Sequence, residues 1–491
     1  MVVYHYINRL LLICALLACN TWANESLFYP VDTIELPEDV QFEVSGLATL
    51  PDGRIAAAIR KGEVWIYSPE DHHFHPFATG LHEPLGLAYH DGDLYTCQRS
   101  EVTRLRDTNE DGTADEYLTY ARGWGVSGNY HEYAYGPVFD PKGNMYITLN
   151  CSIGKKVLPR ATEWRGWSMM KPPDDILRPV SGGMRSPIGL GLNHLGDIFG
   201  TDHQGNWFPT CPLYHIEPGV YHGHADALES CSLPGATFQH PGKIKTGMTV
   251  GEAAENIAPY RLPAVWFPYK KTAMGTTGII CDTTGGKFGP FTNQLFVGEF
   301  TLARINRVFL EKIDGAYQGA VFPFRSNFQC GVLCMTFDKR GSMYVGQSNR
   351  GWNSLGNRSF GLQRVWHQRK PFDIQRMEAR PDGFTLTFTQ PVALDSARDP
   401  ASYAVTSYTY AFSSAYGGDE IHLQSHTIKP TVLDSHTVYL QVSALRATYV
   451  HELQAKGIRS KDGFPLLHHT AYYTLNRIPN ERTNHQQYQD E

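Results

Sequence analysis

Short runs of alternating apolar and polar residues, separated by turns rich in glycine and aspartate, recur along the first three quarters of the chain. Each unit begins with a glycine and an apolar strand, turns, and continues into a second apolar strand that ends in polar residues. Six copies begin at Gly46, Gly86, Gly136, Gly189, Gly278 and Gly331. This alternation predicts antiparallel strands. Four of the five intervals span 40 to 53 residues, which is typical of one four-stranded propeller blade.

The pattern therefore predicts an all-β protein with a six-bladed β-propeller at residues 30–370. After residue 370 the strands continue to alternate but the unit does not recur, which predicts a C-terminal β-sandwich of Ig-like type at 371–478. The one long interval, at residues 217–270, predicts an insertion over one face of the propeller. The polar tail at 479–491 is predicted to be disordered.

The N-terminal 23 residues are predicted to be an export signal, because Arg9 precedes an apolar run too short to span a bilayer. Two processing sites remain open. Cleavage after Ala23 would release a soluble protein, whereas Leu16–Cys19 resembles a lipobox, with a signal at 1–18, and would attach lipid to Cys19. We expect an exported protein, located in the periplasm, on the outer membrane as a lipoprotein, or outside the cell.

The net charge of the chain bears on its binding partners, and its cysteine content bears on disulfide formation. A net charge of −6 without any Lys/Arg-rich run gives no support to nucleic-acid binding, so the expected partner is a small molecule. Seven cysteines follow the leader, and an odd number in an exported protein predicts one or more disulfides plus a free thiol, with the connectivity open. Without a Cys-x-x-Cys-His motif, covalently bound haem is not predicted.

The sequence DTNEDGTAD carries oxygen donors at alternating positions, with Gly112 permitting a sharp turn. The predicted ligands are Asp107, Asn109, Asp111, Thr113 through its carbonyl, and Asp115. A hard cation with many oxygen ligands suits this pattern, so we predict a structural Ca²⁺ site. Leu118 at position 12 excludes an EF-hand. The alternative interpretation is an acidic, solvated turn.

Polar residues beside the inner strands of different blades are the candidates for chemistry, because propeller loops converge around a central axis. His131 precedes the third copy of the repeat and Arg185 precedes the fourth. Residues 202–206 follow the inner strand of the fourth copy, and Lys270 and Lys271 precede the fifth.

Three segments resemble the soluble quinoprotein sugar dehydrogenases, a family of glucose, sorbosone and aldose dehydrogenases that bind pyrroloquinoline quinone on a six-bladed propeller. The segments are HEYAYGPVFDPKGNMYITLN, MRSPIGLGLNHLGDIFGTDHQGNW and KKTAMGTTGIICD. The resemblance covers residues 40–365. The chain is most similar to exported sorbosone-dehydrogenase-like proteins that add a C-terminal β domain, which residues 371–405 resemble.

The resemblance implies a role for individual residues. His131 matches the base that takes the proton from the sugar hydroxyl, and Arg185 matches the arginine over the quinone carbonyls. The implied cofactor contacts are Lys271, Arg304, Gln98, Ser186 and Asn206, with Arg307 a second counterpart of the family's clustered arginines. The backbone carbonyls of Gln204 and Gly205 match a pair that holds the Ca²⁺ of the cofactor. Ser186 departs from the family, which has asparagine there.

The implied function is an exported oxidoreductase that oxidises a sugar, an oligosaccharide or a related alcohol with pyrroloquinoline quinone and Ca²⁺. It would pass electrons to a separate acceptor, a quinone or a cytochrome. Two alternatives remain open: a Ca²⁺-dependent lactonase or hydrolase, and a non-catalytic propeller that binds carbohydrate or protein. The aromatic side chains of Trp124, Tyr130, Trp207 and Trp352 are interpreted as blade packing rather than sugar-stacking surfaces.

Overall fold

The computed structural model describes residues 25–154, 162–351 and 353–480 and shows an all-β protein. The predicted leader with Cys19, the side chain of Trp352 and most of the predicted tail lie outside those residues. No helix in these ranges is long and apolar enough to cross a bilayer. The predicted fold class is confirmed: six four-stranded antiparallel blades are followed by a two-sheet sandwich, one sheet of which is continuous with a blade.

The first three blades each follow directly from one copy of the repeat. The strand that opens the described chain is β1 (Val31–Thr33). Blade 1 contains β2 (Val44–Thr49), β3 (Ile55–Ile59), β4 (Glu63–Ser68) and β5 (His73–Ala78). Blade 2 contains β6 (Leu87–His90), β7 (Asp93–Cys97), β8 (Glu101–Arg106) and β9 (Glu116–Arg122). Blade 3 contains β10 (Ala134–Phe139), β11 (Met145–Leu149), β12 (Trp167–Lys171) and β13 (Arg178–Gly182).

The next three blades complete the ring. Blade 4 contains β14 (Leu190–Leu192), β15 (Ile198–Thr201), β16 (Cys211–His215) and β17 (Val265–Phe267). Blade 5 contains β18 (Thr276–Cys281), β19 (Leu295–Glu299), β20 (Arg304–Ile313) and β21 (Ala316–Arg325). Blade 6 contains β22 (Val332–Phe337), β23 (Met343–Ser348) and β24 (Phe360–Val365). Its outermost strand is β1, which pairs antiparallel with β24 and thereby closes the ring.

Four of the six glycines that open the repeats, at positions 46, 86, 189 and 278, lie where neighbouring inner strands approach closely near the axis. A Cβ on Gly86 would lie 2.3 Å from the carbonyl oxygen of Gly136, and one on Gly189 would lie 2.0 Å from that of Thr277. A Cβ on Gly278 would lie 2.7 Å from the carbonyl oxygen of Leu333. These distances are too short for any side chain, so the repeat marks the positions where blade packs against blade.

Hydroxyl side chains of four blades form hydrogen bonds that join neighbouring blades. The donors lie in blades 1, 3, 4 and 5, and each donates to a backbone carbonyl oxygen of an adjacent blade. The bonds are Ser45 to Pro84 at 2.5 Å, Thr49 to Phe337 at 2.8 Å, Thr148 to Pro187 at 2.8 Å, Thr201 to Thr277 at 2.8 Å and Thr277 to Val332 at 2.7 Å. They satisfy carbonyls that would otherwise be buried without a partner.

The C-terminal domain packs two sheets around its own apolar core. The first sheet has the order β25 (Ile374–Arg380), β26 (Gly383–Phe388), β30 (Thr437–Val442) and β29 (Ile428–Val432). The second has the order β32 (Thr470–Leu475), β31 (Tyr449–Gln454), β27 (Ala404–Thr409) and β28 (Ile421–His426). Alternating apolar side chains from both sheets, including Phe384, Leu440 and Tyr473, fill the space between them.

The sandwich is joined edge to edge to the propeller. Strand β32 pairs antiparallel with β21, the outer strand of blade 5, so that eight strands form one continuous sheet. Arg307 of β20 is buried at this junction between the rings of Phe291 and Phe322, and donates to the carbonyl oxygens of Ile374 and Gln375. The domain division at residue 370 stays a prediction, because the two parts share a sheet.

The long interval in blade 4 lies between β16 and β17 and contains half of the helical elements described. It includes α1 (Val250–Asn256), which begins with a capping box formed by Thr249 and Glu252, and the 3₁₀ turns Ala225–Ala227 and Glu229–Ser232. The remaining short helices are the turns Glu25–Leu27 and Pro400–Ser402, and α2 (Leu394–Arg398). The insertion contacts the sandwich, because Val250 N–H donates to the Tyr410 carbonyl and Phe412 N–H to that of Met248.

An ion-pair cluster ties the start of the described chain to the sandwich. The ring of His468 lies 2.8 Å from the Asp373 carboxylate and 3.3 Å from that of Glu25. Burial alone would lower the pKa of His468, but the two carboxylates raise it to about 9. Burial alone would raise the pKa of Glu25, but His468 and Arg325 lower it to about 2. The cluster therefore stays charged across the neutral pH range.

The expectation of disulfides is wrong for the described residues, in which all seven cysteines carry free thiols: Cys97, Cys151, Cys211, Cys231, Cys281, Cys330 and Cys334. The physical reason is their placement. Most are buried small side chains within the blades, where they pack as apolar groups.

The close approach at the axis can be tested with two glycines of blade 4, neither of which has a positive φ. We expect Gly189→Ala to lower the free energy of unfolding by about 2 kcal/mol or more, because the new methyl group meets backbone. Gly200→Ala is the matched control, because its Cβ would lie 3.3 Å from the flexible end of Ile216. Denaturant unfolding measures both, and equal stability of the two variants would contradict the packing described.

Candidate functional site

A cavity of about 550 Å³ lies where the six inner strands meet, a size typical of small-molecule sites. Residues from all six blades line it, and one lining residue, Tyr416, comes from the sandwich. Of the predicted site residues, the structure brings His131, Arg185, Ser186 and Gln204 together here.

Asp202 organises the segment that carries these groups. It follows β15, is fully buried, and accepts backbone N–H groups from Arg185, Ser186 and His203, each at 2.7 Å. Burial raises the pKa of Asp202 to about 7, although the three N–H donors oppose that rise. One carboxylate therefore fixes the backbone of three neighbouring cavity residues.

Gly205 permits the guanidinium of Arg185 to pack against the backbone. A Cβ at this position would lie 2.2 Å from Nε of Arg185, so any side chain would displace the guanidinium. On another side the guanidinium lies 5.3 Å from the ring centre of Tyr416. Arg185 is consequently held by a turn of the propeller and by the sandwich.

His131 is neutral over the physiological pH range. Burial and the positive charge of Arg185 both lower its pKa, which lies at about 4. Its backbone N–H donates to Oδ1 of Asn129, which orients the residue in the loop before β10. A neutral imidazole keeps a lone pair with which it can accept a proton.

Four residues of the cavity wall have a buried polar side-chain atom without a protein hydrogen-bond partner. These atoms are Oε2 of Glu43, Nδ1 of His131, Oδ1 of Asn150 and Nε2 of His203. Burial lowers the pKa of His203 to about 3, and Arg185 acts in the same direction. Unpaired buried polar atoms cost stability, and their concentration around one cavity indicates a site built for a polar ligand.

The charged groups of the wall are mostly cationic. Arg60, Arg185 and Arg350 line the cavity, whereas Glu43 is the carboxylate that faces it. Arg350 lies 3.6 Å from the Glu43 carboxylate. Arg60 is paired with Glu83, outside the lining, at 2.9 Å. Two of the three guanidinium groups therefore already face a carboxylate, and Arg185 is the group that favours a ligand with negative charge.

Lys271 does not line the cavity. Its ammonium lies 2.8 Å from the carboxylates of Glu420 and Glu452, both in the sandwich, and 4.6 Å from the ring centre of Tyr408. Burial alone would lower the pKa of Lys271, but the two carboxylates raise it. Lys271 thus forms an ion-pair contact between propeller and sandwich.

Other predicted cofactor contacts also lie outside the lining. Arg304 donates to the Lys271 carbonyl at 2.8 Å, and Gln98 donates to Thr103 Oγ1 at 2.5 Å. Asn206 donates to the Ser414 carbonyl at 3.2 Å. Arg307 is buried at the junction with the sandwich. These side chains are engaged in local or interdomain contacts.

The predicted carbonyl pair for Ca²⁺ meets the sandwich. The Gly205 carbonyl accepts the backbone N–H of Gly417 at 2.9 Å. The side chain of Gln204 donates to the Pro209 carbonyl at 2.9 Å. One of the two expected ligands therefore already has a protein partner, and this pair as it stands does not form a cation cage.

The loop at 107–115 connects β8 and β9 and closes on itself. Asp107 accepts the N–H groups of Asp111 and Gly112, and Asp115 accepts the N–H and the hydroxyl of Thr108. Within the described ranges, no group of three or more His, Cys, Asp or Glu side chains is arranged to hold a metal ion. Calcium binding to this loop stays a prediction.

Among the cavity residues, His203 was a candidate only as a member of residues 202–206, and Arg60, Asn150, Arg350 and Tyr416 were not singled out from the sequence. His203 lies in the stretch DHQGN, whose position after an inner strand was the available signal. Tyr416 lies in the tyrosine-rich segment SYTYAFSSAYGG, and no local pattern connects that segment with a propeller more than 200 residues away.

One protein-family model matches part of the chain. A model of a domain of unknown function, DUF7133, matches residues 71–305, just under half of the chain. No curated protein matches the sequence significantly.

Solved structures of sugar dehydrogenases share the propeller. An oxidoreductase described as a glucose dehydrogenase, from Thermus thermophilus, is 19% identical with a TM-score of 0.50, over 69% of this chain and 99% of that one. The soluble aldose sugar dehydrogenase of Escherichia coli, in its apo form, is 15% identical with a TM-score of 0.50, over 69% of this chain and 100% of that one. The resemblance found in the sequence is thereby confirmed at the level of the fold.

The interdomain role of Lys271 can be tested against its neighbour Lys270. We expect Lys271→Ala to lower the free energy of unfolding by about 1–3 kcal/mol, because it leaves the largely buried carboxylate of Glu452 without its cation. Lys270 is exposed, so Lys270→Ala should change stability by less than about 0.5 kcal/mol. Thermal or denaturant unfolding measures both variants. Equal effects would contradict the ion-pair assignment.

The protonation state of His131 can be measured directly. In protein with ¹³C-labelled histidine, the His131 signal, assigned by its loss in His131→Gln, should report a neutral ring at pH 5.5, where an unperturbed imidazole is mostly protonated. In Arg185→Gln we expect the pKa to rise, because a nearby positive charge disfavours imidazolium. A pKa near 6.5 in both proteins would contradict the burial and coupling described.

Proposed function

We propose that the chain is an oxidoreductase that removes a hydride from a hydroxyl-bearing carbon of a sugar or related alcohol, with pyrroloquinoline quinone held in the axial cavity. The observation that carries the proposal is the group of unpaired buried polar atoms on His131, Asn150 and His203, in a wall that also carries three guanidinium groups. The sugar dehydrogenases that share the propeller fold support the same chemistry.

His131 is assigned as the general base. Its lowered pKa keeps the imidazole neutral near pH 7, so the ring can accept the proton of the substrate hydroxyl as the C–H bond breaks. Nδ1 has no protein partner, so the protein itself does not fix which nitrogen carries the proton in the resting state.

Arg185 is assigned to stabilise negative charge. A guanidinium held by Gly205 and Tyr416 needs little reorganisation when charge develops beside it. Asp202 acts as a positioning residue, because it holds the backbone of Arg185 and of His203.

The wall fits an anionic quinone in part. Arg60, Arg185 and Arg350 would pair with its negative charges, and Asn150 and His203 have unpaired polar atoms to offer. When bound, the quinone would supply the hydride acceptor. Lys271, engaged with two carboxylates, is not required in this assignment. Calcium is not assigned a ligand set here, because the Gly205 carbonyl bonds to Gly417.

Calorimetric titration of the purified protein with pyrroloquinoline quinone, with and without Ca²⁺, tests the proposal. We expect saturable binding that weakens at least about tenfold in Arg185→Ala, because an ion pair in a partly closed cavity is lost. Lys271→Ala is the matched control and should bind as the native chain does. No binding under either condition would contradict the proposal.

Measurements of turnover test the role of His131 as the base separately from quinone binding. With an artificial electron acceptor and a panel of aldoses, the quinone-loaded protein should oxidise at least one sugar. His131→Gln should retain quinone affinity and lose about 10²- to 10⁴-fold in kcat. Full activity in this variant would remove His131 from the mechanism.

A further inference from the structure

The sandwich contributes a side chain to the propeller cavity through one well-anchored loop. In residues 412–418, the Gly417 N–H donates to the Gly205 carbonyl at 2.9 Å and the Gly418 N–H to the Pro209 carbonyl at 3.1 Å. The ring of Phe412 lies 5.4 Å from that of Trp207. The loop is therefore fixed on the rim of blade 4, and Tyr416 lies at the cavity as a consequence.

Tyr416 is open to solvent although its surroundings are ordered by many contacts. Its side chain is 61% exposed and lines the cavity, with the Arg185 guanidinium 5.3 Å from its ring centre. An exposed residue that lines a cavity lies at its mouth. The loop thus presents an aromatic ring beside a candidate catalytic group while leaving much of that ring uncovered.

A second exposed tyrosine lines the same cavity. Tyr130, next to His131 in sequence, is 69% exposed and also lines the cavity, with its ring 5.3 Å from that of His131. The expectation that Tyr130 packs within a blade is not what the structure shows. The third exposed tyrosine, Tyr117, is 44% exposed and lies in β9, away from the cavity lining.

The rings of Tyr130 and Tyr416 have surfaces that complement a sugar. Each is an amphipathic surface with an apolar face and a hydroxyl edge, next to one of the two assigned catalytic residues. The C–H face of a pyranose ring is apolar and its rim is polar, so it complements such a surface. Burying the exposed rings against a sugar would release water from apolar area.

We propose that Tyr416 and Tyr130 form a binding subsite for a neutral sugar unit outside the reacting one, which makes the substrate an oligosaccharide or glycoside rather than a free monosaccharide. The inference rests on the proposed function for the reacting unit. It assigns the sandwich a part in substrate recognition, because without its loop the mouth lacks one of the two rings.

Sugar binding without any quinone or added metal tests the subsite, so that its outcome is independent of cofactor binding. Calorimetric titrations of the whole protein would compare cellotriose, maltotriose, xylotriose and laminaritriose with glucose and xylose. We expect at least one trisaccharide to bind about tenfold more tightly than its monosaccharide. That gain should disappear in Tyr416→Ala and persist in Tyr416→Phe, which keeps the ring.

Tyr117→Ala is the matched control for removal of an exposed tyrosine and should leave the gain unchanged. Melting curves establish that the variants are folded, and Tyr130→Ala, expected to reduce the gain as well, provides a second test if Tyr416→Ala does not fold. The proposal is overturned if no trisaccharide binds more tightly than its monosaccharide, or if the gain survives in folded Tyr416→Ala. Sugar binding without quinone binding would overturn the proposed oxidoreductase and leave the subsite standing.

Discussion

The contact between neighbouring inner strands near the axis is the constraint on which the rest of this structure depends. Strands approach so closely there that a carbonyl oxygen occupies the place of a Cβ, as between Gly189 and Thr277. At four of the six repeats the opening glycine has no side chain where the neighbouring strand approaches, which allows the sheets to meet around one axis. The same convergence brings loops of every blade together near the axis. The close packing of the inner strands therefore also forms the cavity.

The sequence pattern predicted those features that depend on residues close together in the chain. The glycine repeat indicated six blades because most copies meet the same close approach of a neighbouring strand. The residues beside inner strands included His131 and Arg185 because their position along a blade determines their distance from the axis. Lys271 occupies an equivalent position in sequence, yet its ammonium pairs with Glu420 and Glu452, which lie 149 and 181 residues away. Periodicity carries no information about such partners.

The function of the sandwich could not be predicted from the sequence, and the structure gives a physical reason. Its strands follow ordinary alternation, whereas its relation to the propeller depends on a shared strand edge between β21 and β32, a buried Arg307 and one loop at 412–418. Each is a pairing between distant segments. The result is a site whose wall belongs to two parts of the chain, so that motion of the sandwich would alter the surroundings of Arg185.

The pairing of β1 with β24 also constrains how the chain reaches its native state. Val31 lies opposite Val365, so the last blade cannot be completed until nearly the entire propeller has formed. Glu25 meets His468 from a still greater separation. Closing loops of this length is entropically costly and slow, and an incomplete ring exposes strand edges that can pair with other chains. Closure of the ring is therefore expected to be a concerted and late step of folding. Until that step, the unpaired strand edge must be protected during biosynthesis.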